Sequence, residues 1–239
     1  MSNSNITLYS WPTPNGIKAS ITLEELGLAY KTVPIDISTN IQKEDRSWFL
    51  KINPNGRIPA ITDGSQRVFE SGSVMLYLAD KYDTDRKISY APGTPEYIEQ
   101  LSWIMFQMGG LGPMQGQANH FRLFAGARSD YGIKRYIEET KRLYSVLEIR
   151  LKESPYLAGD KYTIADIANF SWVRSGPDAL EIDLAEFPAV RKWVENIAKR
   201  SAVLKGASIP DTGRTDAERS EGFKKSRARV DAMTNSDQH

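Results

Sequence analysis

Short apolar runs alternate with helix-like segments over the first part of the chain. The alternation of apolar and polar residues in Ile6–Tyr9 predicts a β-strand. Thr13 followed by Pro14 is typical of a helix N-cap with proline at the first helical position. The helix that begins there is expected to end before Gly27, because glycine favours the conformation that terminates helices.

A second strand, a hairpin and another helix are predicted to follow. Tyr30–Ile35 is strand-like but contains Pro34, which lacks the N–H needed for a central ladder and therefore indicates an edge strand. Ile58–Ile61 and Arg67–Phe69 are separated by an Asp-Gly turn and predict a hairpin. Glu70–Tyr82 then predicts a helix. A short helix near Asp45–Leu50 is predicted before the hairpin, so the order is βαβ followed by αββα.

Helical spacing dominates the second part of the chain. Apolar residues recur every three or four positions from Ile133 to Leu151, which predicts one long amphipathic helix. A second stripe follows Pro188. Thr163 and Asp166 have the spacing of a capping box, in which each side chain bonds the backbone N–H of the other residue.

These patterns divide the chain into four segments. Residues 1–83 are expected to form an α/β domain, and residues 96–204 an all-helical domain. Residues 84–95 between them are rich in turn-forming residues and read as a linker. Residues 205–239 form a polar C-terminal segment.

The C-terminal segment 205–239 carries 7 basic and 6 acidic residues and no leucine, which predicts a mostly mobile tail. Phe223, Val230 and Met233 are the apolar residues through which a short helix would dock on the body. The basic residues within Lys224–Arg229 resemble a nucleic-acid-binding arm, but the interleaved acidic residues favour a solvated surface.

Composition limits the chemistry of the chain. Its 239 residues include 31 Lys and Arg against 30 Asp and Glu, so a net charge of +1 gives no electrostatic reason to expect nucleic acid or an anionic membrane as partner. There is no cysteine, which excludes disulfides, Cys-ligated metal sites and a protein thiol nucleophile. The two histidines show no ligand spacing, and we expect no metal. Any thiol chemistry requires a thiol from outside the chain.

Targeting signals are not evident in the sequence. The first arginine is Arg46, and the apolar stretch Ile6–Tyr9 is too short for a signal peptide. A membrane-spanning helix needs about 18 or more consecutive apolar residues, and no such run is present. These features predict a soluble cytoplasmic protein.

The ordered set of motifs resembles the cytosolic glutathione transferases over residues 5–204. The motifs that carry the resemblance are Ile58-Pro59, Glu70-Ser71, Thr163-Ile-Ala-Asp166, Pro12-Thr-Pro-Asn-Gly16 and Gln107-Met-Gly-Gly-Leu-Gly-Pro-Met114. The last two are similar to the bacterial Nu class and to fungal enzymes related to the yeast nitrogen-regulator prion. The resemblance implies a thioredoxin-like α/β N-terminal domain, an all-α C-terminal helical domain, a homodimer, and glutathione as co-substrate without a metal.

The resemblance also implies where the sulfur of glutathione would lie. Asn15 is the first candidate to stabilise the thiolate through its amide and backbone, and Thr13 is the second, because hydrogen-bond donors at a helix start favour a thiolate. By itself, Pro-Asn-Gly is simply a tight turn. Arg57 and Ile58 are both expected to bind glutathione. The Ile58 backbone pairs with the cysteinyl part of the tripeptide, with a cis bond to Pro59.

Further residues are implied for the two ends of glutathione. Ser71 at a helix start is expected to bind the γ-glutamyl carboxylate, and the Glu70 carboxylate the ligand ammonium. Without the resemblance, Ser71 would be read as a plain helix cap. Gln42, in a loop around Thr39–Glu44 that is longer than in the family, matches a contact to the glycyl end. Arg135 matches an arginine that reaches the site from the helical domain.

Other constellations are less favoured. His120 would have to serve any Ser-His-Asp triad, but there is no G-x-S-x-G nucleophile elbow, so a packed or solvent-facing histidine is expected. The glycines within Gly109–Gly112 lack dinucleotide-binding spacing and favour close helix packing instead. Four aromatic residues are candidates for the wall of a co-substrate pocket, although aromatic residues on helices usually belong to the core: Trp11, Phe121, Phe124 and Trp172.

Two functions remain open at this point. The first is a glutathione transferase-like enzyme that activates the glutathione thiol for conjugation to electrophiles and for disulfide or peroxide reduction. Members of the resembled branch hold glutathione disulfide or two glutathiones without a protein cysteine, which favours reduction. The alternative is a non-catalytic glutathione-binding regulatory or interaction protein, with residues 205–239 as its partner surface.

Overall fold

The computed structural model describes residues 5–37, 47–235 and 237. A four-stranded sheet with strand order β2-β1-β3-β4 forms the first half of the molecule. Its strands are β1 (Ile6–Ser10), β2 (Tyr30–Pro34), β3 (Ala60–Asp63) and β4 (Gln66–Phe69). β2 runs parallel to β1, and the other two pairings are antiparallel. The edge position predicted for the strand that contains Pro34 is confirmed.

Three helices accompany the sheet: α1 (Gly16–Glu25), α2 (Ser47–Leu50) and α3 (Ser71–Tyr82). The prediction that Pro14 is the first helical residue was wrong, since α1 starts at Gly16, but Thr13 makes the bonds of an N-cap, and its carbonyl accepts the Ile17 N–H at 3.0 Å. Thr13 N–H donates to the Trp11 carbonyl at 2.7 Å, which closes a turn before the helix. The Thr13 hydroxyl then accepts the Gly16 N–H at 3.1 Å, so it still bonds to the helix start.

The second half is helical. Its helices are α4 (Pro95–Phe106), α5 (Gly112–Asn119), α6 (Asp130–Glu153), α7 (Ile164–Val173), α8 (Gly176–Leu180), α9 (Pro188–Ala198), α10 (Ser201–Gly206) and α11 (Asp216–Asp231). Two π-helical turns, Gln107–Leu111 and His120–Phe124, flank α5. The thioredoxin-like sheet followed by a mostly helical half matches the predicted fold class.

The start of α7 is fixed in the interior of the helical half. Both bonds of the predicted capping box between Thr163 and Asp166 are present. The Asp166 carboxylate also accepts the Leu157 N–H at 3.0 Å and the Trp193 indole N–H at 2.9 Å. Burial raises the pKa of the Asp166 carboxyl to about 6, and the three N–H donors of Thr163, Leu157 and Trp193 hold the carboxylate in place.

The two halves pack directly on each other through α1. The main hydrophobic core lies in the helical half and includes Ile17 and Ile21 of α1. The backbone of α10 approaches α1 so closely at Gly206 that a Cβ there would lie 2.6 Å from Ile21 Cα. The Ser20 hydroxyl donates to the Gly206 carbonyl at 2.6 Å. The position of α1 relative to the helical half is therefore determined by backbone contact.

The C-terminal segment is not mostly mobile, which corrects the prediction made from its composition. α11 packs against the π-helical turn His120–Phe124 and against α8. Val230 is fully buried and Phe223 packs on the main core, as expected for a docked helix. The low apolar content of the segment is offset by polar contacts to the body.

Two arginines of α11 bind the chain's own backbone. Arg227 is 8% exposed and donates to the Asp178 carbonyl, while Arg229 donates to the Leu123 carbonyl at 3.0 Å. Leu123 lies in a π-helical turn, whose last carbonyls need external donors. Arg227 is thus buried against the body, whereas Lys224, Lys225 and Arg229 are exposed, as expected for a solvated surface. None of the helices in the described ranges is long and apolar enough to cross a membrane.

Candidate active site

One cleft of about 790 Å³ lies where the sheet meets the helical half. Its walls come from the turn after β1, the turn that precedes β3, the start of α3 and one tryptophan of α7. Six of the predicted site residues line it together: Thr13, Asn15, Arg57, Ile58, Glu70 and Ser71. Residues far apart in sequence are thus brought to one place.

Of the other two predicted site residues, the structure describes Arg135 but not Gln42. Gln42 and the whole of its loop, Thr39–Glu44, lie outside the described residues. Arg135 is exposed in the early turns of α6 and, as far as the described residues form the cleft, does not line it. Of the candidate aromatic wall, Trp172 lines the cleft, whereas Phe124 is 60% exposed elsewhere. His120 is exposed, as expected.

Asn15 is oriented by a tryptophan of the helical half. The Trp172 indole N–H donates to Asn15 Oδ1 at 3.0 Å. Because an indole nitrogen can only donate, the atom that receives this bond must be the amide oxygen. The Nδ2 group, with two N–H donors, is therefore what Asn15 offers to a ligand in the cleft.

The Trp172 ring packs over two glycines of α5 at ordinary contact distance. A Cβ on Gly112 would lie 3.5 Å from the indole, and a Cβ on Gly116 would lie 3.4 Å from it. The Gln115 side-chain amide also donates to the Trp172 carbonyl at 2.9 Å. A Cβ at Gly112 would collide with the Gln107 side-chain amide of the preceding turn, whereas a Cβ at Gly109 would meet no atom of the described residues within 4 Å, so the close helix packing predicted for the motif is not confirmed.

The Thr13 hydroxyl lies beside Asn15 in the same turn. Its oxygen accepts the Gly16 N–H, so its single hydrogen remains available to donate. Gly16 is required here, because a Cβ would collide with the Trp11 carbonyl. Thr13 and Asn15 together present hydroxyl and amide donors immediately before α1.

A buried asparagine shapes the wall that contains Arg57 and Ile58. Asn53 Nδ2 donates to the Arg57 carbonyl at 2.6 Å, and Asn53 Oδ1 accepts the Asn55 N–H at 3.0 Å. The Ile58–Pro59 bond is cis, as the resemblance implied. This turn therefore has both its conformation and its approach to β3 defined by internal bonds.

Glu70 precedes α3 in an uncommon backbone conformation, with φ of +67° and ψ of 123°. Such a conformation in a non-glycine residue costs about 1–3 kcal/mol and is concentrated at functional sites. Ser71 follows as the first residue of α3. Within the described residues neither of them makes a side-chain capping bond, so reading Ser71 as a plain helix cap was wrong.

Ser71 instead contacts a lysine that the sequence analysis missed. Lys18 of α1 is fully buried, and its Nζ donates to Ser71 Oγ at 3.1 Å and to Gln107 Oε1. Burial lowers the pKa of the Lys18 ammonium to about 7, against the opposing attraction of the Glu70 carboxylate. The available signal was the spacing, since residues three apart on a helix, as Asn15 and Lys18 are, share a face.

Family models match both halves of the chain. The glutathione S-transferase N-terminal domain matches residues 4–80, and the C-terminal domain matches residues 127–201. A relative from Escherichia coli (strain K12), the disulfide-bond oxidoreductase YfcG, is 45% identical over 204 residues, which cover 82% of this chain and 92% of that protein. The chain belongs to the glutathione S-transferase family.

Solved structures of other glutathione S-transferases share the fold. A homologue from Lodderomyces elongisporus, with two glutathione molecules per subunit, has a TM-score of 0.82 and 45% identity and covers 86% of this chain and 99% of its own. The transferase URE2P6 from Phanerochaete chrysosporium, in complex with oxidized glutathione, has a TM-score of 0.80 and 40% identity, with coverage of 86% and 96%. Glutathione is thus the ligand found in these members of the family.

Proposed function

We propose that this glutathione S-transferase family member binds glutathione in the cleft and activates its thiol to reduce disulfides, with peroxides and electrophilic carbon as further targets. The observation that carries the proposal is the Asn15 amide, which Trp172 turns so that its N–H donors are available to a sulfur. The chain contains no cysteine, so the reacting thiol is that of the substrate. The name of the relative from E. coli supports disulfide reduction.

In this proposal, glutathione binds with its γ-glutamyl end at the start of α3 and its sulfur at the turn before α1. Ser71 and the first amides of α3 bind the γ-glutamyl carboxylate, and Glu70 pairs with the adjacent ammonium. The Ile58 backbone pairs with the cysteinyl residue, which brings the sulfur to Thr13 and Asn15. Arg57 lines the same cleft and complements a carboxylate. In the proposal Gln42 binds the glycyl end, and Arg135 closes over the ligand from the helical domain.

The reaction consists of two thiol–disulfide exchanges. The thiolate of bound glutathione attacks one sulfur of a disulfide, forms a mixed disulfide and releases the other half as a thiolate. A second glutathione thiolate attacks the glutathione sulfur of that mixed disulfide, which gives oxidized glutathione and a second substrate thiol after protonation by solvent. Two glutathiones supply the two electrons. The neighbour structures with two glutathiones and with oxidized glutathione support this sequence.

An activity panel tests the proposal. Glutathione is supplied with hydroxyethyl disulfide, cumene hydroperoxide or chlorodinitrobenzene, and each rate is compared for the wild type, Asn15→Ala and Lys192→Ala. Lys192 is exposed on α9 and serves as the matched control. We expect the fastest saturable turnover with the disulfide, a loss in Asn15→Ala, and none in Lys192→Ala. Glutathione binding without turnover of any substrate would contradict catalysis and favour the regulatory alternative.

We also propose that the chain forms a homodimer in which each sheet domain faces the helical domain of its partner. Large apolar side chains are exposed on both halves, among them Trp48 beside the sheet and Ile98 and Met105 on α4. Light scattering at micromolar concentration is expected to give twice the mass of the 26.9 kDa chain, and the mass of a single chain would refute the dimer.

A further inference from the structure

Lys18 lies directly behind the start of α3, on the protein side of the cleft wall. We propose that Lys18 is a buried positioning residue, whose ammonium aims the Ser71 hydroxyl and supplies positive charge for the carboxylate of the γ-glutamyl group. The inference rests on the proposed function, because it assigns a role within the same glutathione site.

The contact with Lys18 determines the direction in which the Ser71 hydroxyl donates. An ammonium group has three donors and no acceptor, so in the 3.1 Å contact with Lys18 Nζ the Ser71 oxygen must accept. The Ser71 hydrogen is then left to donate elsewhere. Met108 Sδ lies 3.5 Å from the hydroxyl oxygen, but a thioether is a weak acceptor. A carboxylate in the cleft is the stronger acceptor and would replace it.

The Lys18 ammonium also supplies positive charge close to the ligand carboxylate. A carboxylate bonded to the Ser71 hydroxyl would lie one hydrogen bond further from the Lys18 ammonium. This places the two groups within the ~4–6 Å over which opposite charges favour each other's ionised form. Gln107 and Met108, which pack on Lys18 from the helical half, are neutral. Among the described residues, Glu70 is the charged group that acts on Lys18. The ligand ammonium pairs with Glu70, and the carboxylate then becomes the counter-charge of Lys18.

Proton uptake is the consequence. Burial lowers the pKa of Lys18 to about 7 in the empty site, and a bound carboxylate raises it again. Below that pH the lysine is charged in both states, and binding takes up no proton. Above it the empty site is neutral and the occupied site charged, so binding takes up a proton and affinity falls as the pH rises.

The wild-type protein provides the first test. S-methylglutathione is the probe, because it has no thiol that ionises. Its partner is the analogue with 4-aminobutyrate in place of γ-glutamate, which lacks only the carboxylate. Calorimetry in buffers of different ionisation enthalpy counts the protons taken up. For S-methylglutathione we expect roughly 0.1 proton at pH 6 and more than about 0.5 at pH 8. Equal uptake for both ligands, or none for either, would overturn the proposal.

The variant Lys18→Met, which keeps the side-chain length without the charge, provides the second test. We expect its affinity for S-methylglutathione to fall about tenfold or more at pH 6, with less than about a twofold change for the analogue. Its proton uptake at pH 8 should vanish. Lys31→Met, which alters an exposed lysine of β2, is the matched control and should behave as wild type. Unchanged affinity in Lys18→Met, or an equal loss for both ligands, would contradict the proposal.

The outcomes also separate this inference from the proposed function. If glutathione binds with the expected proton uptake but no disulfide is reduced, the reductase proposal fails and the role of Lys18 stands. If turnover is normal while Lys18→Met binds both ligands like wild type, the role of Lys18 fails alone. Should circular dichroism show that Lys18→Met does not fold, the comparison of the two ligands on the wild type decides.

Discussion

Changing Asn15 tests how the site activates a thiol, because its side chain can be altered without removing a helix cap. Within the described part of the chain, Asn15 makes no side-chain capping bond to α1. Its oxygen is held by Trp172 at 3.0 Å, and its nitrogen is what faces a ligand. Two substitutions separate these functions. Asn15→Ala removes both groups, whereas Asn15→Asp keeps the oxygen for Trp172 and replaces the N–H donors by a charged oxygen.

The structure sets the order of the effects. A hydrogen bond to a charged group contributes about 1.5–3 kcal/mol, so losing the N–H donor in Asn15→Ala should slow thiolate attack at neutral pH about 10-fold to 100-fold. Asn15→Asp loses the same bond and places a negative charge near the sulfur. Two like charges about 4 Å apart at an effective dielectric of about 20 repel by up to about 4 kcal/mol. Asn15→Asp should therefore be slower than Asn15→Ala.

The assay is the pH dependence of kcat/KM for hydroxyethyl disulfide at saturating glutathione. The rate should rise with pH as the thiol ionises, and its midpoint should move upward from wild type to Asn15→Ala and further in Asn15→Asp. Glutathione affinity, measured with S-methylglutathione, should stay within about threefold in Asn15→Ala, since the sulfur contact is not the anchor of the ligand. A midpoint that is the same in all three proteins would refute the role of the amide.

Three further predictions concern other contacts. Trp172→Phe should slow disulfide reduction about fivefold, which corresponds to the free energy of one neutral hydrogen bond, because the Asn15 side-chain amide is then free to flip. A steady-state rate equal to that of wild type would contradict this. The free energy of unfolding should rise by about 1 kcal/mol per pH unit between pH 7 and the ordinary lysine pKa of 10.5, because in this range the unfolded chain binds the Lys18 proton and the folded chain does not. Urea unfolding of wild type and Lys18→Met across this range measures the effect. Parallel stability curves for the two proteins would refute it. Val230→Asp should lower the free energy of unfolding by about 2 kcal/mol or more and speed limited proteolysis within α11, whereas unchanged cleavage would show that α11 is not docked through Val230.

Much of the fold was predicted correctly from patterns among residues that are close in sequence. The alternation of short strands and helices identified the sheet half, and Pro34 correctly placed β2 at the edge because proline cannot donate to a ladder. The capping box of Thr163 and Asp166 was recognisable because it depends on two residues three positions apart. Features of this kind are settled by neighbours in sequence, so a single chain is enough to predict them.

Features that depend on distant parts of the chain could not be predicted in this way. Lys18 looks like any lysine on a helix until Ser71 and Gln107, from two other elements, surround its ammonium. The bond between Trp172 and Asn15 spans 157 positions. α11 lacks an apolar stripe, and it docks through arginines that reach backbone carbonyls of the body. A prediction from composition gives a mobile tail for this segment, because composition contains no information about the backbone carbonyls that the arginines bind.

Under the proposed function, the cleft stabilises the thiolate of glutathione without a protein thiol. The most direct measurement is the thiolate absorbance in the ultraviolet when the wild-type protein is saturated with glutathione at neutral pH, with S-methylglutathione as the blank. We expect a thiolate signal well above that of free glutathione at the same pH, and a smaller signal in Asn15→Ala. A bound thiol as fully protonated as free glutathione would contradict it.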